Sequence, residues 1–260
     1  MKVLMFHRVL PKSLINDQDA YYLRGTLVST EFFESEIKKY ISEGYVFKTL
    51  SESIDEPSDK TIVLTFDDGY EDNFKYVFPL LNKYKIKGTF YPTIGYIIDN
   101  KVAPLDYYYF FVNKNVLENE KADWITGNKK RNFINLKIGE QEAFVGNLFK
   151  NELPVLDLRY MNSEELKFLL EAGKEIGGHT LYHDIYSNLT LEEINSDYNS
   201  MKKYFEGLSI SPKTFAYSDG RYNESIVNLL IKDGLKGACT INANVNRIAP
   251  NFEIEREFCN

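Results

Sequence analysis

The run Thr61-Ile62-Val63-Leu64-Thr65-Phe66 carries no charge and no polar alternation. A strand of that composition needs cover on both faces, as in a parallel sheet wrapped by helices. The rest of the chain supplies the wrapping. Val3 to Val9 predicts a strand. Thr30 is the expected N-cap of a helix whose apolar stripe is Phe33, Ile37, Tyr40 and Ile41, with Gly44 ending it. A helix over about Asp72 to Tyr84 and a strand over Gly88 to Tyr91 follow. A helix opening at Ser163 and ending near Gly173 comes later. Thr190 and Glu193 have capping-box spacing for a helix to about Phe205. Strands over Thr214 to Tyr217 and Gly237 to Ile241 flank a helix from about Glu224. Strand–helix alternation of this kind predicts parallel βαβ units, with about seven strands suggesting a barrel more than an open sheet.

The stretch from about Gly95 to Tyr160 breaks the rhythm. It carries the aromatic run Tyr107-Tyr108-Tyr109-Phe110-Phe111, a Lys/Asn-rich middle and a weak helix from Gly139 to Lys150. We expect an insertion packed on the barrel within one domain over residues 1–260. The aromatic run reads first as the apolar anchor of that insertion and second as a sugar-stacking surface.

Composition narrows the function classes. With 15% aromatic residues the chain is not disordered. Its net charge of −7 argues against a nucleic-acid surface, which needs a basic footprint. Two isolated cysteines, Cys239 and Cys259, make no disulfide framework. No run approaches the length of a transmembrane helix, and Met1 to Phe6 leads straight into a strand without a signal-peptide core. The expected location is therefore cytoplasmic, unless a leader has been removed.

Chemistry concentrates in two places. Asp67-Asp68-Gly69 follows the buried strand directly, where barrel active sites are built. Adjacent residues at a strand end point in different directions, so one carboxylate can bind a cation while the other faces bound water. Asp-Asp-Gly is also common turn chemistry, and on its own the motif leaves both readings open. The second place is His179-Thr180-Leu181-Tyr182-His183, which holds two of the chain's three histidines. On one helical turn both rings would project to the same side. With Asp68 they make a two-histidine, one-carboxylate set that leaves a position for water, as in catalytic zinc sites. The same donors admit cobalt, nickel or iron.

These motifs resemble those of the polysaccharide deacetylases of carbohydrate esterase family 4, with the NodB-homology fold. Thr65-Phe66-Asp67-Asp68-Gly69-Tyr70 is similar to the family's first motif, His179 to His183 to its second (His-Ser/Thr-x-x-His), and Phe215-Ala216-Tyr217-Ser218-Asp219-Gly220 to its third. The resemblance runs from about residue 1 to 256 and implies a distorted (β/α)7 barrel; it leaves the inserted segment of about 60 residues uncovered. It implies one divalent metal, zinc first, held by Asp68, His179 and His183. It makes Asp67 the general base and places the oxyanion at the backbone N–H of Asp219, beside Tyr217. The implied reaction is removal of an N-acetyl, less often an O-acetyl, group from an acetylated amino-sugar glycan or its precursor.

Two departures stand out. Ser218 and Asp219 replace the usual Pro and aromatic of the third motif. The C-terminal segment Phe252 to Arg256 contains no histidine to act as general acid. His7, in Met5-Phe6-His7-Arg8-Val9, resembles the first-strand histidine that takes this role in the exopolysaccharide and poly-N-acetylglucosamine branch. Arg8 and Arg256 are candidates either to orient a carboxylate or to form structural ion pairs. Two other readings compete: a catalytically weak carbohydrate-binding barrel, and an amidohydrolase acting on a small non-sugar amide.

Overall fold

The computed structural model describes residues 1–243 and 249–259. The first apolar run is broken into two strands, Lys2–Phe6 (β1) and Arg8–Leu10 (β2), with His7 at the bend between them. Only β1 enters the barrel; β2 leaves it to pair with Leu27–Ser29 (β3). After the short Val46–Phe47 (β4) come the buried strand Thr61–Asp68 (β5), Thr89–Pro92 (β6), Glu175–Ile176 (β7), Thr214–Ala216 (β8) and Gly237–Thr240 (β9). Ile254–Glu255 (β10) and Glu257–Phe258 (β11) complete the set.

All the ladders between these strands are parallel. One sheet runs β11-β1-β5-β6-β7 and another β10-β9-β8. A single parallel bridge, Gly178 to Phe215, joins β7 to β8. At the other join, β10 pairs with β9 and β11 with β1, and only Arg256 lies between them. The hydrogen-bonded path thus returns to its start through seven strand positions, the last shared by β10 and β11. This is the distorted (β/α)7 architecture. Met5 pairs with Thr65 and Phe6 with Phe66, so His7 follows β1 level with Asp67 and Asp68 at the C-terminal rim.

The helices form largely where their signals predict. Thr190 and Glu193 make a reciprocal capping box for Leu191–Gly207, and Asn162 and Glu165 make one for Ser163–Glu171. The helix Thr30–Ser42 is capped by Ser29, one residue before the expected Thr30. The Ser29 hydroxyl accepts from the Phe32 N–H at 3.0 Å. Phe33, Ile37 and Tyr40 are buried, but Ile41 is 43% exposed and lies outside the stripe. The expected helix over Asp72 to Tyr84 opens with a wider π turn, Asn73–Val77, before Phe78–Lys83. No helix among the described residues is long and apolar enough to cross a membrane.

Between β6 and β7 the chain builds more helix than the sequence suggests. Pro104–Asn115, Glu118–Ile125, Asn128–Ile134 and Ile138–Leu148 stand where one weak helix was expected. Tyr108 and Tyr109 from the aromatic run are buried with Val112, Ile125, Phe133 and Val145 against Tyr21, Leu27 and Tyr70. The run therefore serves mainly as an anchor. Asp106, 2% exposed, is the polar centre of this contact. Its carboxylate accepts from the hydroxyls of Tyr21, Tyr70 and Tyr160, the Tyr70 bond being 2.9 Å. Burial raises its pKa above the ordinary value, and the three hydroxyl donors oppose that shift. Asp106→Ala should leave these hydroxyls without an acceptor and cost about 2–4 kcal/mol. Amide exchange should rise more over residues 104–148 than in β1 and β5. A uniform rise across the chain would show that Asp106 does not hold this contact in particular.

Candidate active site

The strand β5 ends on the two carboxylates. Asp68 sits at φ 69°, a left-handed conformation that is costly for a non-glycine residue. Gly69 follows at φ 85°, and a Cβ there would lie 2.9 Å from Cβ of Pro92, so the turn is closed to larger residues. This backbone reversal sends the Asp67 and Asp68 side chains to different neighbours.

Asp68 faces the histidines. Its Oδ1 is 3.6 Å from Nε2 of His179 and 3.7 Å from Nε2 of His183. These separations exceed a hydrogen bond. The three donor atoms lie within 4.8 Å of one another. Nδ1 of His179 is 2.8 Å from the Ala216 carbonyl, which makes it the N–H donor and leaves Nε2 as the free lone pair. Such a set fits a cation of tetrahedral preference. The histidines do not share a helical turn, as their spacing had suggested. Thr180 (φ 58°) and His183 (φ 68°) are both left-handed, and this turn brings the rings to a centroid distance of 4.9 Å.

Burial works against charging His179, but Asp68 and Asp67 outweigh it and raise its pKa above 6.5. Burial dominates at His183 and drives it down to about 4. Burial also opposes ionisation of Asp68, but the histidines more than compensate and hold it below the ordinary carboxylate range.

Asp67 faces the seventh strand position. Nη1 and Nη2 of Arg256 each donate to one of its oxygens at 2.7 Å, a bidentate pair with both side chains almost fully buried. Nη1 also reaches the Thr65 hydroxyl at 3.3 Å. Burial alone would raise the Asp67 pKa, but Arg256 and then His179 overcome it, and the net shift is downward. Arg256 thus orients a carboxylate, one of the two roles left open for it. Arg8 takes the other role: its Nε pairs with Asp72 at 2.9 Å, and its guanidinium stacks on Tyr21 and Tyr70.

His7, Tyr217 and Asp219 line the same pocket as Asp67, Asp68, His179 and His183. The His7 ring lies parallel to Phe258 at 6.1 Å, and its buried Nδ1 has no partner. Its carbonyl accepts from Nδ2 of Asn73, in the π turn, at 2.9 Å. Burial lowers its pKa. The Tyr217 hydroxyl donates to the Phe252 carbonyl at 2.9 Å, so it is already engaged with the protein. Asp219 is left-handed (φ 54°), and its Oδ2 faces Nε of Arg221 at 3.4 Å. Lys130 and Arg24 also line the pocket. Sequence inspection missed both, since neither belongs to a motif.

A parallel barrel with two carboxylates and two histidines gathered in one pocket at its C-terminal rim defines a candidate hydrolase active site. The polysaccharide deacetylase family model matches residues 54–238, and the chain belongs to that family. It is 24% identical over 215 residues to YxkH of Bacillus subtilis (strain 168), a polysaccharide deacetylase by name. That match takes in 80% of this chain but only 56% of YxkH. Among solved structures it superposes on the Streptococcus pyogenes deacetylase PplD in complex with acetate. The TM-score is 0.65 at 17% identity, over 98% of this chain and 90% of that one. IcaB from Ammonifex degensii gives a TM-score of 0.65 at 19% identity, over 99% and 90%. The de-N-acetylase from Aggregatibacter actinomycetemcomitans gives 0.63 at 15%, over 98% and 93%. These likenesses establish the fold.

Proposed function

We propose that the protein is a metal-dependent hydrolase that removes an acetyl group, N-acetyl before O-acetyl, from a sugar of a bacterial surface polysaccharide or its precursor. The observation that carries this reading is the convergence of Asp68, His179 and His183 beside an arginine-held Asp67 in one pocket. Held by those three side chains, a divalent ion (zinc first; cobalt, nickel or iron by the same donor chemistry) would polarise the acetyl carbonyl and lower the pKa of water from about 15.7 to about 7.

The chain's own residues do the rest. Asp67, kept ionised by Arg256, takes the proton of the attacking water. The backbone N–H of Asp219 donates to the developing oxyanion, and a backbone donor tolerates the altered side chain. His7 gives a proton to the leaving amine. The Asp67–Arg256 pair favours this reading over a binding-only barrel, because glycan binding needs no buried, oriented carboxylate beside the cation ligands.

The deciding experiment is acetate release from N-acetylhexosamine oligomers and, in parallel, from small acetamides. Release should occur on the sugars, stop with chelator and return with added zinc or cobalt. Release from the acetamides alone would support the amidohydrolase instead. No metal-dependent release from any substrate would sink the proposal. His7→Ala should slow amide cleavage by about 10²–10⁴. It should affect an activated acetyl ester far less, since that leaving group needs no proton. Equal slowing of both would make His7 a structural histidine.

A further inference from the structure

The pocket contains more positive charge than the reaction uses. Lys130, on the helix Asn128–Ile134, is only 7% exposed yet lines the cavity. Arg24, the last residue of the helix Ala20–Arg24, lines it from another side. Two of the carboxylates there already face an arginine: Asp67 pairs with Arg256 and Asp219 with Arg221, while Asp68 faces the two histidines. Among the described residues, neither Lys130 nor Arg24 has a carboxylate within ion-pair distance.

Both cations rest on aromatic faces instead. Nζ of Lys130 is 4.9 Å from the Tyr109 ring centroid, and the Arg24 guanidinium is 5.7 Å from that of Phe258, the ring parallel to His7. Rings hold a cation loosely and leave its donors free. Burial pushes the Lys130 ammonium down to about 7; Asp219 pulls it up, and the nearby Arg24 charge pushes it further down. An anion placed against the two cations would relieve that repulsion and repay the desolvation. A chain of net charge −7 thus places two basic side chains without an ion-pair partner among the described residues in this cavity, with Asp219 the carboxylate that acts on both.

We propose that Lys130 and Arg24 bind an anionic substituent, carboxylate or phosphate, on the acetylated sugar, so that the substrate is an acidic glycan or precursor. This rests on the deacetylase reading for the reaction itself. Lys130 and Arg24 are then specificity residues and take no part in the chemistry.

The test compares acetate release from three N-acetylated substrates: a neutral glucosamine oligomer, an amino-uronic acid oligomer and a hexosamine 1-phosphate. At low salt, wild-type kcat/KM should be at least about tenfold higher on one of the acidic substrates than on the neutral one. Which acidic substrate wins distinguishes carboxylate from phosphate. Lys130→Met and Arg24→Gln should each shrink that ratio, mainly through KM. Lys129→Met, on the exposed face of the same helix, should leave it intact. Metal-free protein titrated calorimetrically with the hexosamine phosphate or the uronic acid should bind one of them more tightly than the neutral sugar, and Arg24→Gln should weaken that binding. Such binding without acetate release from any substrate would support the anion site while sinking the deacetylase reading. A wild type that prefers the neutral oligomer, or an acidic preference that survives both substitutions, would overturn the proposal.

Discussion

Arg256→Met should destabilise the protein by about 3–5 kcal/mol at neutral pH, because it leaves the Asp67 carboxylate buried without its counter-charge. The loss should depend on pH in a definite direction. In the wild type the Asp67 pKa lies below its ordinary 3.8, so the pair's stabilisation is present above pH 3.8 and is lost as pH falls through the folded-state value. Without Arg256, burial is the largest remaining influence on Asp67, and its pKa should move above 3.8. The folded variant then binds more protons than its unfolded chain, and its stability should fall as pH rises through that interval. Urea unfolding at roughly pH 5 and pH 7 should therefore give the larger deficit at pH 7. Adding Asp67→Asn to Arg256→Met should recover part of the loss, since neither charge is then stranded. A deficit equal at both pH values, or a double variant no better than the single, would mean that the pair is not the source. Asp67→Asn alone should lower the deacetylation rate by roughly 10²–10⁴.

The His179→Ala, His183→Ala double variant should abolish metal binding and cut the rate by at least about 10³. Protein purified without chelator should carry close to one equivalent of divalent metal, and the variant essentially none. Metal affinity should also follow pH. His183, driven down to about 4, is neutral across the working range. His179, held above 6.5, must give up a proton when an ion binds. Apparent affinity should therefore fall by about tenfold per unit as pH drops below the His179 pKa. Competitive titration with cobalt, followed by absorbance, measures this directly. A double variant that holds as much metal as the wild type would overturn the ligand assignment.

What could be read from the sequence was whatever had a local cause. The strand Thr61–Asp68 was legible over Thr61 to Phe66 because burial on both faces leaves an almost unbroken apolar run; its extension through Asp67 and Asp68 was not. The capping box at Thr190 was legible because both of its bonds close within three residues. The break at His7 was not, since Val3 to Phe6 is apolar before it and Val9 and Leu10 resume the apolar run after Arg8. Pairing of Arg8–Leu10 with Leu27–Ser29 and the bond from Asn73 to the His7 carbonyl draw the chain away there. The histidine spacing was right about proximity and wrong about conformation. The separation of four fits a helical turn, whereas the left-handed Thr180 and His183 have no strong compositional mark. Nothing local marked Asp106, because its three tyrosine partners lie at positions 21, 70 and 160. The partner of Arg256 is 189 residues away and could be named only as a possibility.

Arg256 occupies the point where the closing strand changes neighbours, from β9 to β1. Its own N–H donates to the Thr240 carbonyl at 2.9 Å while its side chain reaches across the barrel floor of the pocket to Asp67. Spacing along this segment is therefore under a double constraint. Adding or deleting one residue between Ile254 and Phe258 would turn every following side chain to the opposite face and carry the guanidinium away from the carboxylate. Relatives that use the same arrangement should vary freely in the length of the connection leading into the segment, yet keep the arginine at a constant offset from the strands on either side of it.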